Sequence, residues 1–268
     1  MRVRVTALIM AGKRSGVLDP LAEKAGVAQK CVVPIRGKPL IEHVVGALAG
    51  SERIGEIRIV AHEEGEIAAI PLIAQLIEQG RLKIIPGAFN LVDSVVAGAQ
   101  GAQFPILITT ADNVLVTSDG YEEFIDAALA AGAGEGAAAA LARIEDVNAA
   151  HPQGQRRSYN FRDGKFSNCN SYLIGTREAL ASAEIFRQGG QFVKFPSRIA
   201  KAFGVFNLVR YFLGTGDRER LFQQVSRRFG FPLRTVVLSN GEFAIDVDNE
   251  RTYAVAEKLL AKREAMAG

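Results

Sequence analysis

Apolar stretches of strand length alternate with stretches of helical period through the first half of the chain. Val3 to Met10 reads as a first strand, and Pro39 to Leu48 as a helix whose Leu40, Ile41, Val44, Val45 and Leu48 share one side. Ile57 to Ala61 is a second strand, followed by a helix over Gly65 to Glu78 that Gly80 ends, and by a strand over Leu82 to Ile85 closed by Pro86-Gly87. A helix over Leu91 to Ala99, a strand over Pro105 to Thr109 and a helix over Ser118 to Ala131, with Ser118 as its N-cap, continue the series. Strands that are apolar on both faces and alternate with helices predict an α/β fold: a mostly parallel, Rossmann-like sheet with helices on both faces.

From Ala137 the pattern changes. A strand of small residues and a polar stretch from His151 to Arg157 lead into a β-hairpin over Tyr159 to Ile174, with Asp163-Gly164 at its turn. Residues 185–234 read as a basic helical insert within a single domain spanning 1–268. They carry ten basic side chains against two acidic ones, so the rest of the chain is net negative. Val236 to Leu238 and Phe243 to Val247 return to strand around an Asn240-Gly241 turn, and Asn249 to Lys262 forms a closing helix.

Composition narrows the function classes. The 268 residues are 48% apolar and 23% charged, enough to bury a sizeable core. A net charge of +3 is too small to mark a nucleic-acid binder. Two cysteines, Cys31 and Cys169, lack the spacing of a disulfide framework or a zinc site, and no apolar run reaches the roughly 20 residues of a membrane span. A cytoplasmic location is the expectation.

Directly after the first strand stands Ala11-Gly12-Lys13-Arg14-Ser15-Gly16, a basic turn of small residues. Backbone amides left open by small side chains, with Lys and Arg beside them, suit a triphosphate, although an ordinary solvated connection has the same composition. The turn has neither Walker A nor GxGxxG spacing. In Asn90-Leu91-Val92-Asp93-Ser94 a helix start offers a base edge its hydrogen bonds, or is simply capped by Asp93 or Ser94. Ala111-Asp112-Asn113 places a carboxylate past the end of the strongest central strand, where such sheets bind ligands. Ala244-Ile245-Asp246-Val247-Asp248 precedes the last helix, which Asp248 is placed to cap. Asp246 reads as facing the opposite side from Asp248, as a supporting residue.

Taken in order, these segments resemble the MobA-like NTP transferases, nucleotidyltransferases with a GT-A-like sheet. Ala11-Gly12, Arg14, Lys30, Pro34, Gly37, Pro39, Leu40 and Ile41 match the family's opening motif, with Lys13 where many members have glycine. The resemblance implies an NTP site of Ala11, Gly12, Lys13, Arg14, Lys30, Asn90 and Ser94, and Mg²⁺ held by Asp112 and Asp248. Arg14, Lys30 and Asp112 are the implied catalytic residues. The implied reaction moves NMP from an NTP, CTP or GTP, to a phosphorylated small-molecule acceptor and releases pyrophosphate. A phosphate nucleophile is already ionised and needs no general base, and His43, His62 and His151 all read as structural or surface residues.

Asn168 and Asn170 in the hairpin and Lys194 in the insert are the candidate acceptor contacts, and the asparagines serve the hairpin backbone equally well. The insert suits an acceptor phosphate, a partner or homodimer arm, an anionic lipid surface, or a plain solvated helix face. Two other readings remain open. A GT-A-like glycosyltransferase needs a D-x-D where this chain has Ala111-Asp112-Asn113. A non-catalytic nucleotide-binding or regulatory protein would keep the pocket without turnover, a reading that Lys30, Asp112 and Asp248 oppose.

Overall fold

Strands apolar on both faces need cover on both, and the chain supplies it by crossing from one side of the sheet to the other. The computed structural model describes residues 3–12, 18–186 and 216–267. The strands are β1 (Val5–Met10), β2 (Pro34–Ile35), β3 (Lys38–Pro39), β4 (Ile54–Ala61), β5 (Leu82–Pro86), β6 (Ile106–Thr110), β7 (Ala137–Arg143), β8 (Tyr159–Phe161), β9 (Gly164–Ile174) and β10 (Leu233–Leu238). The helices are α1 (Pro20–Ala25), α2 (Leu40–Ala49), α3 (Gly65–Ala68), α4 (Pro71–Glu78), α5 (Leu91–Ala99), α6 (Ser118–Ala130), α7 (Ile144–Ala150), α8 (Arg218–Phe229) and α9 (Glu250–Ala267).

The main sheet has eight strands in the order β10, β7, β9, β6, β1, β4, β5, with β8 paired to β9. The β6–β1–β4–β5 half is parallel, as is the β7–β10 pair, and β9 runs antiparallel between β6 and β7. Along β1, Val5, Ala7 and Ile9 belong to the larger core with α2, α4, α6 and α9, whereas Leu8 joins the smaller core with α5 and α8. The α/β class, the mostly parallel sheet and helices on both faces are therefore as the alternation predicts.

Several local expectations are corrected. The predicted helix over 65–78 breaks into α3 and α4, because Ile70 precedes Pro71 and adopts an extended conformation (φ −68°, ψ 124°). Thr117, not Ser118, caps α6: its hydroxyl accepts from the Gly120 amide at 3.1 Å, while Ser118 donates to the Ala47 carbonyl at 2.8 Å. In the β8–β9 hairpin Phe161 pairs with Gly164, so the loop is Arg162-Asp163. Phe243 to Val247 is not a strand. A 3-10 turn, Gly241–Ala244, leads into irregular backbone. Within the expected insert, residues 187–215, Lys194 among them, lie outside the described residues. Arg227 and Arg228 end α8, and Leu233 and Arg234 belong to β10.

The 3-10 turn depends on Gly241. A Cβ there would stand 2.2 Å from the Asp146 carbonyl carbon and 2.3 Å from the Val147 nitrogen of α7. This close approach sets where the chain from Ile245 to Asp248 begins. Gly241→Ala is expected to cost at least about 2 kcal/mol through overpacking against backbone, read as a lowered urea midpoint.

Candidate nucleotide site at the strand ends

Four parallel strands finish level with one another. The Ala11 amide bonds to Val60 O at 2.9 Å, that of Ala111 to Met10 O at 3.1 Å, and that of Gly87 to Ala61 O at 2.7 Å. Ala11 and Gly12 lie at this row, outside the carboxyl ends of the strands, where open α/β sheets form their ligand crevice. Lys13 and Arg14 fall outside the described residues. Asn90 caps α5, accepting from the Asp93 amide at 3.0 Å and donating to the Asp93 carboxylate at 2.6 Å. Ser94 is buried and uses its hydroxyl on both backbone groups of Ala88, accepting from the amide at 2.9 Å and donating to the carbonyl at 3.2 Å. The two side chains thus shape the 86–90 loop.

His62, read from sequence as a structural or surface residue, lies in the same crevice. Its ring is the nearest neighbour of the Cβ position at both Gly12 (3.4 Å) and Gly87 (3.1 Å), and its Nε2 donates to Ala88 O at 3.1 Å. It therefore joins the end of β1 to the loop after β5. No spacing in the sequence signals this, because the three positions meet only through strand order.

At the end of β6 the structure gathers one ammonium and three carboxylates. Lys30 Nζ lies 2.6 Å from Asp112 Oδ2 and 3.4 Å from Asp248 Oδ1. Burial alone would pull the Lys30 pKa down, but the adjacent Asp112 charge and hydrogen bond, with Asp248 and Asp246 beyond, hold it above the ordinary lysine value. The Val247 amide bonds to Asp112 O at 3.1 Å, which brings the segment before α9 against the end of β6. Asn249 Oδ1 accepts from the amides of Arg251 at 3.1 Å and Thr252 at 3.3 Å and so caps α9, leaving the Asp248 carboxylate outside the cap.

Asp246 does not turn away. Its carboxylate joins those of Asp112 and Asp248, with an oxygen of each within 4.8 Å of the others. Residues two apart in a strand share a face, so alternation gives no reason for Asp246 to point away from Asp248, and the irregular backbone from Ile245 to Asp248 brings both carboxylates to Asp112. Three aspartate oxygens at this spacing are the hard donor set that Mg²⁺ or Ca²⁺ takes, and the residues fit such an ion.

Behind Asp246 lies a bulge in β9. Asn170 takes a left-handed conformation (φ 47°), which asparagine tolerates better than most residues, and its Nδ2 donates to Asp246 Oδ2 at 3.0 Å. Asn168 donates to Asn170 Oδ1 at 2.9 Å and to the Tyr172 hydroxyl at 2.6 Å, and buried Asn113 holds the Cys169 carbonyl at 2.8 Å. The two asparagines expected at an acceptor are thus bonded within the hairpin, and Asn170 supports a carboxylate. Gln155 Nε2 reaches Asp246 Oδ1 from the opposite loop at 3.3 Å.

An open α/β sheet with a carboxylate cluster past a central strand, beside a crevice of small residues, is an arrangement suited to a nucleotide and a divalent ion. Residues 7–203 match the MobA-like NTP transferase domain, and the chain belongs to that family. The 2-C-methyl-D-erythritol 4-phosphate cytidylyltransferase of Solibacter usitatus is 32% identical over 74 residues, a stretch covering 28% of this chain and 30% of that protein. A hypothetical transferase from Thermus thermophilus superimposes with a TM-score of 0.75 at 23% identity, over 94% of this chain and 100% of its own. The CMP:2-keto-3-deoxy-manno-octonic acid synthetase, solved with CTP, gives 0.58 at 13% identity over 97% and 99%. At these identities the two structural likenesses are likenesses of fold.

Burial, then the charges of Asp112 and Asp248, push the Asp246 carboxyl up to about 7. An unfolded aspartate titrates near about 3.9, so the folded state binds this proton more tightly. The resulting stability is fully present below the unfolded value and is lost as pH rises through about 7. Urea unfolding without divalent cations is expected to show stability growing as pH falls from about 8 to about 5, and Asp246→Asn to flatten that rise.

Proposed function

We propose that the protein transfers a nucleoside monophosphate from an NTP to a phosphorylated small-molecule acceptor, with release of pyrophosphate and with Mg²⁺ as cofactor. The observation that carries this reading is the meeting of Lys30, Asp112 and Asp248 beside Ala11-Gly12 at the strand ends. Of the two donors considered, CTP is favoured over GTP, since the named relatives are a cytidylyltransferase and a synthetase solved with CTP.

An acceptor phosphate oxygen attacks the α-phosphorus. The bond from that phosphorus to the α–β bridging oxygen breaks, and its electron pair leaves with pyrophosphate. Anion meets anion, so the protein's task is positioning and charge neutralisation. The backbone at Ala11 and Gly12 receives the phosphates, Lys13 and Arg14 neutralise them, and Lys30 exchanges its partner Asp112 for a phosphate oxygen as the nucleotide arrives. Asp112 and Asp248, joined by Asp246, hold Mg²⁺, which supplies Lewis-acid polarisation of the phosphoryl oxygens. The 86–90 loop, shaped by Asn90 and Ser94 and tied down by His62, borders the base. No general base is needed.

A cytoplasmic location belongs to the same reading, since Cys31 and Cys169 are buried and in no disulfide, which suits a reducing compartment. No helix among the described residues is long and apolar enough to cross a membrane. The homodimer arm and the anionic-lipid contact concern residues 185–234, most of which lie outside the described residues.

A thermal-shift panel of CTP, GTP, ATP and UTP, with and without Mg²⁺, tests the reading. CTP with Mg²⁺ is expected to stabilise the fold by about 2.7 kcal/mol at a hundred times its Kd, and CTP alone by much less. In a pyrophosphate-release assay, Asp112→Asn is expected to lower turnover by about a hundredfold or more while leaving the unfolding midpoint close to wild type. Wild-type turnover in that variant would remove Asp112 from the reaction.

A further inference from the structure

Strand order divides the site at β6. The β1, β4 and β5 ends, with Ala11-Gly12 and the 86–90 loop, lie on one side of Asp112, and β9 and β7 lie on the other. A doubly charged acceptor entering from the β9 side approaches three carboxylates and needs positive charge there. Lys30, which follows the connection after β1, belongs to the other side. Asn168 and Asn170 carry no charge and are bonded within the hairpin.

The loop preceding β8 supplies what is missing. Gln155 Oε1 accepts from the Arg156 amide at 2.9 Å and the Arg157 amide at 3.2 Å, while its Nε2 reaches Asp246 Oδ1 at 3.3 Å. One side chain therefore fixes the backbone of two consecutive arginines beside the carboxylate cluster, and Ser167 adds a bond to Arg157 O at 3.2 Å. Beneath the loop, Arg251 Nη1 donates to Gln153 O, and to Gly154 O at 3.1 Å.

Burial, then the neighbouring charge of Arg156, hold the Arg251 guanidinium below its ordinary pKa, so positive charge is crowded here. Arg156 and Arg157 are exposed, and among the described residues neither has a carboxylate partner within ion-pair distance. By contrast Arg162 is paired with Asp217 at 2.6 Å and Arg36 with Glu264 at 2.7 Å.

We propose that Arg156 and Arg157, with Arg251 behind them, form an anion subsite for the phosphate monoester of the acceptor, on the β9 side of the carboxylate cluster. The subsite rests on the transfer reaction proposed above and adds to it the residues that receive the acceptor. Paired guanidinium forks match phosphate oxygens in geometry as well as charge. The arrangement also sets the phosphate opposite the nucleotide, with the carboxylates between them.

The test is a titration of the full chain with inorganic phosphate, followed by calorimetry and ³¹P NMR, alone and with CTP and Mg²⁺ already bound. Saturable phosphate binding that persists beside the nucleotide is expected. The double variant Arg156→Gln/Arg157→Gln is expected to weaken it at least tenfold, with CTP affinity and the unfolding midpoint unchanged. Single Arg156→Lys and Arg157→Lys variants, which keep charge and fold, are expected to fall between. Wild-type phosphate affinity in the double variant, displacement of phosphate by CTP, or no saturable binding in the parent protein would each overturn the subsite. Phosphate binding that depends on the arginines in a protein that binds no NTP would instead refute the transfer reaction and leave the anion site standing.

Discussion

Three carboxylates within reach of one ammonium form an arrangement that the rest of the fold has to hold in place. Asp112, Asp246 and Asp248 repel one another at close quarters, and among the described residues Lys30 is the cation that bonds to two of them. Their convergence rests on a backbone joint, the Val247 amide on Asp112 O, rather than on the charges themselves. The last helix anchors the segments that follow Asp112 and Lys30. Arg263 reaches Leu115 O at 2.7 Å just beyond Asp112, while Tyr253 donates to Pro34 O at 2.7 Å and Glu264 pairs with Arg36 close to Lys30. A helix that looks from sequence like a simple closing element is thus the clamp on the charged centre.

The two sides of that centre are built differently. On the β1 side the backbone lies close to the ends of parallel strands, and small residues leave room: Gly12 and Gly87 both abut His62, where larger side chains would crowd the ring. On the other side an antiparallel strand interrupts the parallel order, and its bulge turns Asn170 into a left-handed conformation that carries its amide to Asp246. Polar side chains do there what open backbone does on the first side. Asn113 holds the bulge, and Gln155 holds the arginine-bearing loop. This division follows from the order β9, β6, β1 in the sheet, with Asp112 at the end of the strand between the two halves.

Much of this was legible from residue pattern alone. Continuous apolar runs such as Ala7 to Met10 and Ile106 to Ile108 identify buried parallel strands because such strands are covered on both faces. The period of Leu40, Ile41, Val44, Val45 and Leu48 identifies α2, since all five are buried. Motifs in fixed order were enough to single out Lys30, Asp112 and Asp248, and the match over residues 7–203 places the chain in the corresponding family.

What was missed has a common physical cause. Asp246 faces the cluster because positions 246 and 248 share a face in an extended segment, and the Val247 amide on Asp112 O sets that segment against the end of β6. His62, Gln155 and Arg251 carry no motif, and each owes its place to an element distant in sequence. The chain by itself determined which segments bury, which turns carry charge and which carboxylates stand at strand ends, because burial and turn chemistry are local. Which carboxylates share one ammonium, which asparagines are already bonded and which arginines lack a carboxylate partner among the described residues was decided by tertiary structure, because electrostatic interactions depend on distance through space and the sheet order sets those distances.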